Sequence, residues 1–226
     1  MKENQIAFIV QARLNSKRVP QKMIRPFAGD TLFSIVLDKL LQCKNIPNQD
    51  IYASVFEEEL INIVDSKPIS YFVRSKESAE EEDNLQLIYE WHDKLPKQYK
   101  YVVLISGCNP LLSINTIESF AEKFTTQEED NLFAVVEKRQ YYWNKDGKMI
   151  NNWPEGETIM NTKVIEPTYE AAHCLYASRL DTIKDNKFMV DYSKENLILY
   201  NIDELESFDI DYEWQFKTAE LLYEKI

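Results

Sequence analysis

Glycine is nearly missing, with four in 226 residues. Neither the Gly-x-Gly-x-x-Gly turn of a dinucleotide-binding unit nor the Gly-Lys-Ser/Thr of a P-loop occurs, which disfavours dinucleotide binding and ordinary ATPase chemistry. Histidine is limited to His92 and His173. Cysteine is limited to Cys43, Cys108 and Cys174, odd in number and never at zinc or redox spacing, so reduced thiols are expected. No base accompanies Cys108, which is read as a packing residue. Long hydrophobic runs are absent too. The first apolar stretch, residues 6–10, is far too short to cross a bilayer, and Arg13 follows it without a small-residue cleavage site, so a cytoplasmic protein with no membrane partner is expected. Positive charge is in deficit: 26 Lys and Arg face 38 Asp and Glu, a formal net charge of -12. That balance excludes a general nucleic-acid or anionic-membrane surface, since both need a positive field. No compositionally biased segment and no internal repeat is found.

What is present is ordinary globular composition, 44% hydrophobic and 28% charged, enough for one domain over 1–226 with a sizeable core. Residues 6–10 read as a strand buried on both faces, and 31–43 as a helix capped by Asp30 or Thr31. Strands are expected at 50–56 and 69–73, helices at 57–64 and 78–91, then a buried strand at 101–105 and a helix at 113–124. This alternation predicts an α/β fold, a doubly wound, mostly parallel sheet, with ligand at the carboxyl ends of the strands. Beyond Asn131 the alternation fails. A strand is expected at 133–137, and 138–157 holds Tyr141, Tyr142, Trp143 and Trp153 around Lys145-Asp-Gly147. That pattern suggests an inserted hairpin or arm within 138–170 that packs on another subunit. Strands at 172–177 and 196–202 and a helix at 214–224 complete the reading.

Against the acidic background one basic cluster stands out, Arg13, Lys17, Arg18, Lys22 and Arg25, directly after the first strand. A triphosphate concentrates several negative charges, and guanidinium forks, an ammonium and turned backbone amides converging on one point are what hold it.

The loop Ala12-Arg13-Leu-Asn-Ser16-Lys17-Arg-Val-Pro20-Gln-Lys22 resembles the nucleotide loop of the CMP-sugar synthetases, in particular the N-acylneuraminate cytidylyltransferases, which reads approximately Ala-Arg-x-x-Ser-Lys-x-x-Pro-x-Lys. Near the other end, Phe208-Asp209-Ile-Asp211 with Ala219-Glu220 is similar to the family's Asp-Ile-Asp motif and the helix after it. Two aspartates one residue apart in an extended segment point to the same side and can reach one hard cation. The resemblance implies a Rossmann-like nucleotide-diphospho-sugar transferase fold, CTP as co-substrate, Mg2+ or Mn2+ held by Asp209 and Asp211, an acidic sugar as acceptor, and a homodimer. It implies catalytic roles for Arg13, Lys22 and Asp211, with Ala12, Ser16, Lys17, Arg74 and Asp83 on the nucleotide. On the acceptor side it implies Ser106, Asn109, Lys163, Tyr169 and His173.

Departures from the family pattern concentrate on that acceptor side. Ser106-Gly-Cys-Asn109-Pro110-Leu111 stands where sialate synthetases carry Gln-Pro-Thr-Ser-Pro-Leu, Ala172-His173 replaces Asn-Gly, Lys163 is the nearest cation where an arginine would meet the sugar carboxylate, and Gln215 replaces an acidic residue. Taken alone, His173 reads as a hydrogen-bonded structural histidine and His92, at a polar helix end, as inert. The expected reaction is CMP transfer to a nonulosonate of the sialic-acid kind. An eight-carbon ulosonate or a phosphonate acceptor, or a catalytically silent module of the same fold, are the alternatives.

Overall fold

The computed structural model describes residues 2–81, 83–187 and 197–225. The chain order is β1 (Ile6–Gln11), β2 (Pro26–Phe27), β3 (Asp30–Thr31), α1 (Leu32–Gln42), β4 (Ile51–Val55), α2 (Glu58–Asp65), β5 (Ser70–Val73), α3 (Lys76–Glu80), α4 (Leu85–Ile88), β6 (Tyr101–Ile105), α5 (Ile114–Thr126), β7 (Leu132–Lys138), β8 (Thr168–Arg179), β9 (Leu199–Asn201) and α6 (Glu213–Tyr223).

Among the described residues seven strands form one sheet in the order β5-β4-β1-β6-β8-β7-β9. The first four are mutually parallel, with Phe8 opposite Ile51 and Ala7 opposite Val102. β8 runs antiparallel between β6 and β7, and β9 lies parallel to β7. The mostly parallel, Rossmann-like sheet is thus the one the alternation predicts, and β8 is its antiparallel member. Side chains alternate between two cores, as the strand period of two requires. Phe8, Val10, Val103 and Ile105 face the large cluster beneath α1, α5 and α6, whereas Ala7, Ile9, Val102 and Leu104 face a smaller one around Trp91 and Tyr99. Among the described residues no helix is long and apolar enough to cross a membrane.

Thr31 caps α1 by accepting from the Ser34 amide at 3.2 Å, and Ser113 caps α5 in the same way at 3.1 Å. The single helix expected over 78–91 is instead broken into α3, α4 and a 3-10 turn at Glu90–Asp93. Local capping explains the break. Glu81 is extended and its carboxylate accepts from the amides of Asp83 and Asn84, while the Asn84 side chain starts a new helix by accepting from Leu87. The strand expected over 196–202 is β9, three residues long, and Asn196 lies outside the described residues. Residues 138–157 form only a minimal hairpin, with Trp143 bridging Met149 around Gly147 at φ +75°.

Two of these features set the site. The small β2–β3 hairpin turns the chain after the basic loop, and α6 docks on it. Phe216 meets Phe27 edge to face at 5.3 Å, with the Arg25 guanidinium 4.3 Å over its ring. Truncation of a fully buried aromatic removes transfer energy and leaves a cavity, so Phe216→Ala should cost about 3–5 kcal/mol. Urea unfolding is expected to show a lower midpoint at unchanged slope; an unchanged midpoint would mean that α6 is not part of the cooperative core.

Candidate active site

β1 delivers the chain to the carboxyl edge of the sheet, and the loop after it is nailed down by apolar side chains while its cations project. Ala12, Val19 and Met23 are buried. The Ala12 amide donates to Ser54 O at 3.0 Å, the Leu14 amide to Glu57 Oε1 at 2.8 Å, and the Val19 amide to Ser16 Oγ at 3.4 Å. Gln21 takes a left-handed φ of 55° that turns the loop back toward β2. Its cations therefore line one side of an open cavity of about 610 Å³.

Arg74, Glu81, Ile88 and Tyr89 also line it, as do Leu104, Ile105, Ser106, Cys108 and Tyr176 from the ends of β6 and β8. Asp211 closes the rim. The two ends of the chain meet there. Lys22 Nζ donates to Ile210 O at 2.5 Å and stands 3.7 Å from Asp211, Arg18 pairs with Asp211 at 2.6 Å, and Arg25 forks onto both Glu213 oxygens at 2.6 and 2.7 Å. The Ile210 amide donates to Cys108 O at 3.0 Å, fixing the acidic segment to the loop after β6. Gln215 caps α6 from inside, its Oε1 accepting from the amides of Asp211 at 2.8 Å and Tyr212 at 2.7 Å. An amide suffices for that job, which accounts for Gln215 where the resembled pattern is acidic.

Of the residues singled out in the sequence, Ala12, Arg13, Ser16, Lys17, Lys22, Arg74, Ser106 and Asp211 line this one cavity. Asp83, Asn109, Lys163, Tyr169, His173 and Asp209 are not among the lining residues. Asp83 is exposed, while Asn109 is buried and ties the β6 loop to Ser207 O at 3.1 Å. Lys163 is exposed within 138–170, and Tyr169 is exposed at the start of β8. Arg74 is buried with its Nε 3.0 Å from Ser78 Oγ and Nη2 on the carbonyls of Ser78 and Ile88. Burial and the neighbouring Arg13 push its pKa down to about 10, so it braces the broken helix as well as facing the cavity. Burial raises the Cys108 thiol, leaving a packing residue. Sequence reasoning missed Gln11, Tyr89 and Tyr176 as wall residues. Gln11 carried a usable signal, being a polar residue ending a buried strand, and Trp91 Nε1 donates to its Oε1 at 2.8 Å.

A sequence model of the family described as "Cytidylyltransferase" matches residues 7–226. The chain is 26% identical over 155 residues to the pseudaminic acid cytidylyltransferase of Campylobacter jejuni subsp. jejuni serotype O:23/36 (strain 81-176). That match spans 62% of this chain and 64% of the relative, less than two thirds of its length. Its fold is similar to that of a CMP:2-keto-3-deoxy-manno-octonic acid synthetase complexed with CTP, with a TM-score of 0.71 at 11% identity over 98% of this chain and 99% of that one. It is also similar to 4-diphosphocytidyl-2C-methyl-D-erythritol synthase from Anaerococcus prevotii DSM 20548, with a TM-score of 0.67 at 14% identity over 97% and 96% of the two chains.

Asp209 is the electrostatically costly member of the site. Burial raises its pKa first and the like charge of Asp211 second, while Lys22 and His173 act in the opposite sense. Its Oδ1 is buried and has no hydrogen-bond partner among the described residues. A carboxylate whose folded pKa lies above its unfolded value destabilises the fold while ionised; the cost is full at neutral pH and fades as pH falls through the raised value toward 3.8. Asp209→Asn should therefore raise the melting temperature of metal-free protein at pH 7, and the gap to the unsubstituted chain should narrow as the buffer approaches pH 4. A variant that melts lower at pH 7 contradicts this reading.

Proposed function

Because the chain belongs to the cytidylyltransferase family, we propose that it transfers CMP from CTP to an acidic sugar of the ulosonate class, with an eight-carbon acid as the first choice of acceptor. The acceptor hydroxyl attacks the α-phosphorus in line. A new oxygen–phosphorus bond forms, the α–β anhydride bond breaks, pyrophosphate departs, and the hydroxyl proton passes to solvent. The observation that supports this most is the meeting of the basic loop and the acidic segment over one cavity, with Arg18 2.6 Å and Lys22 3.7 Å from Asp211.

Each residue has a physical task. Arg13 and Lys22 neutralise the β- and γ-phosphates and the charge growing on the leaving pyrophosphate, while Ser16, Lys17 and the turned amides of the loop fix the triphosphate for alignment. Among the described residues no group of three or more His, Cys, Asp or Glu could hold a metal alone. A pair suits magnesium, which takes one or two carboxylates and fills its shell with phosphate oxygens and water. Asp209 and Asp211 would hold it, and the unpartnered Asp209 oxygen is the kind of donor such an ion relieves. When bound, the ion neutralises phosphate charge and orients the α-phosphate.

The acidic acceptor is supported by the names of two proteins this chain is similar to, an octonic acid synthetase and a pseudaminic acid cytidylyltransferase. Sialic acid itself has less support, because Ser106 is too short to copy the family glutamine. A nine-carbon acid of another kind is the second reading, favoured by the pseudaminic acid relative. Segment 138–170 is proposed as an inserted arm of a single domain that packs on a second copy, since Trp143, Ile150, Trp153, Ile159 and Met160 are exposed on it.

Pyrophosphate release with CTP, magnesium and a panel of acidic sugars tests the reaction. Asp211→Asn should lower turnover about 100-fold or more. Arg13→Ala should raise the CTP requirement and lower the rate together, and rates near those of the unsubstituted chain remove the assignment. Sedimentation tests the arm: a dimer that becomes monomeric on Ile159→Asp with Met160→Asp is expected, and a monomer from the outset contradicts it.

A further inference from the structure

The acidic segment is placed by main-chain bonds. Ile210 stands between Asp209 and Asp211, its carbonyl accepting from Lys22 of the basic loop at 2.5 Å and its amide donating to Cys108 O at 3.0 Å. Both aspartates therefore follow the loop of residues 106–113 after β6 as much as they follow the basic loop. Further bonds join the acidic segment to that loop and to the start of α5. Asn109 Nδ2 donates to Ser207 O at 3.1 Å, and the Glu206 carboxylate accepts from the Ser113 amide at 3.2 Å and the Thr116 hydroxyl at 2.6 Å.

The β6 loop is irregular, yet Asn109, Pro110, Leu111 and Leu112 are all buried. Buried carbonyls outside a regular ladder need donors from elsewhere. Lys39 of α1 supplies them. Its Nζ donates to Pro110 O and, at 2.7 Å, to Leu112 O, and it lies 5.3 Å from the centre of the Tyr223 ring on α6. One ammonium thus ties the loop to two helices. α1 is a firm post for it, since Phe33, Leu37 and Leu40 are wholly buried. At Gly107 the same loop meets the basic loop closely, for a Cβ added there would stand 2.5 Å from Met23 Cε.

We propose that Lys39 is a positioning residue for the reaction: by holding the Pro110 and Leu112 carbonyls it sets the place of Cys108 O and, through the Ile210 amide, that of Asp209 and Asp211 against the basic loop. The inference rests on the proposed function, which gives the two aspartates their task. Lys39 is not among the residues lining the cavity, so it acts through the loop rather than on the substrate. Without the ammonium the two carbonyls turn toward water, and the loop carries Cys108 O away from Ile210. In-line displacement tolerates little of this, since a shift of about 1 Å in a positioned group can cost about 100-fold in rate.

The test compares the unsubstituted chain with Lys39→Met, which keeps the stem and removes the donors, and Lys39→Arg, which keeps donors. Desolvation already pushes the Lys39 pKa down to about 8, so Lys39→Met removes a cost along with two bonds and should fold. Amide hydrogen exchange is followed by NMR, affinity for CTP in EDTA by calorimetry, and turnover by pyrophosphate release with CTP, Mg2+ and acidic sugars. In the unsubstituted chain the Ile210 amide should exchange about 100-fold or more slower than in an unstructured peptide. In Lys39→Met that amide should exchange about 10-fold or more faster while those of β1 and β4 keep their rates, and turnover should fall about 10- to 100-fold. Affinity for metal-free CTP, which the basic loop holds, should not change. Lys39→Arg should restore part of the protection and part of the rate. A merely structural lysine would lower protection throughout the sheet and leave turnover by the folded variant intact; that result overturns the inference alone. An unprotected Ile210 amide in the unsubstituted chain does the same and needs no variant to fold. If the unsubstituted chain turns over no acidic sugar, the proposed function falls and this inference falls with it.

Discussion

Lys22 donates to the Ile210 carbonyl at 2.5 Å, and through that contact the first loop of the chain is joined to the segment before its last helix. A cleft that grips a polyanion needs positive charge on one wall and a counter-charge for a cation on another, and these charges must sit close without cancelling. The chain meets this by anchoring each wall with apolar groups. Val19 and Met23 hold the loop, Phe216 and Ile210 hold the acidic side, and the polar groups are left at the rim. The surface ion pairs Arg18–Asp211 and Arg25–Glu213 add little stability by themselves. What they report is register: they hold the basic loop and the acidic segment in line with each other.

The alignment has a cost, and it is placed where chemistry needs it. Asp209 and Asp211 share one segment, and burial with like charge raises the Asp209 pKa. His173 stands in a left-handed conformation at the same edge of the sheet. Lys39 lies half-buried beneath the β6 loop, where it donates to the Pro110 and Leu112 carbonyls, and desolvation pushes its pKa down to about 8. Such departures from local comfort survive because the surrounding sheet over-determines them.

The fold was legible wherever packing enforces a period. Residues 6–10 and 101–105 are continuous apolar runs because both faces of a central parallel strand are buried, and they occupy the centre of the sheet. Residues 78–91 misled, since a helical spacing of apolar groups says nothing of the Glu81 and Asn84 side chains that break the helix by capping. The site divided in the same way. Arg13 and Lys22 were legible as a basic cluster in an acidic chain and Asp211 through its family motif, and all three line the one cavity. Tyr176, Tyr89 and Gln11 were not, because a wall residue is defined by what the sheet brings beside it. The bulge at His173 depends on a register that only strand pairing fixes.

A crystal structure of the chain with CTP and Mg2+ tests the central claim most directly. The account predicts the triphosphate between the loop of residues 12–22 and the Asp209–Asp211 segment, Arg18 released from Asp211 onto phosphate, and one metal ion touching both aspartates. A nucleotide bound elsewhere, or phosphates in this cavity with the ion held away from Asp209 and Asp211, would contradict it.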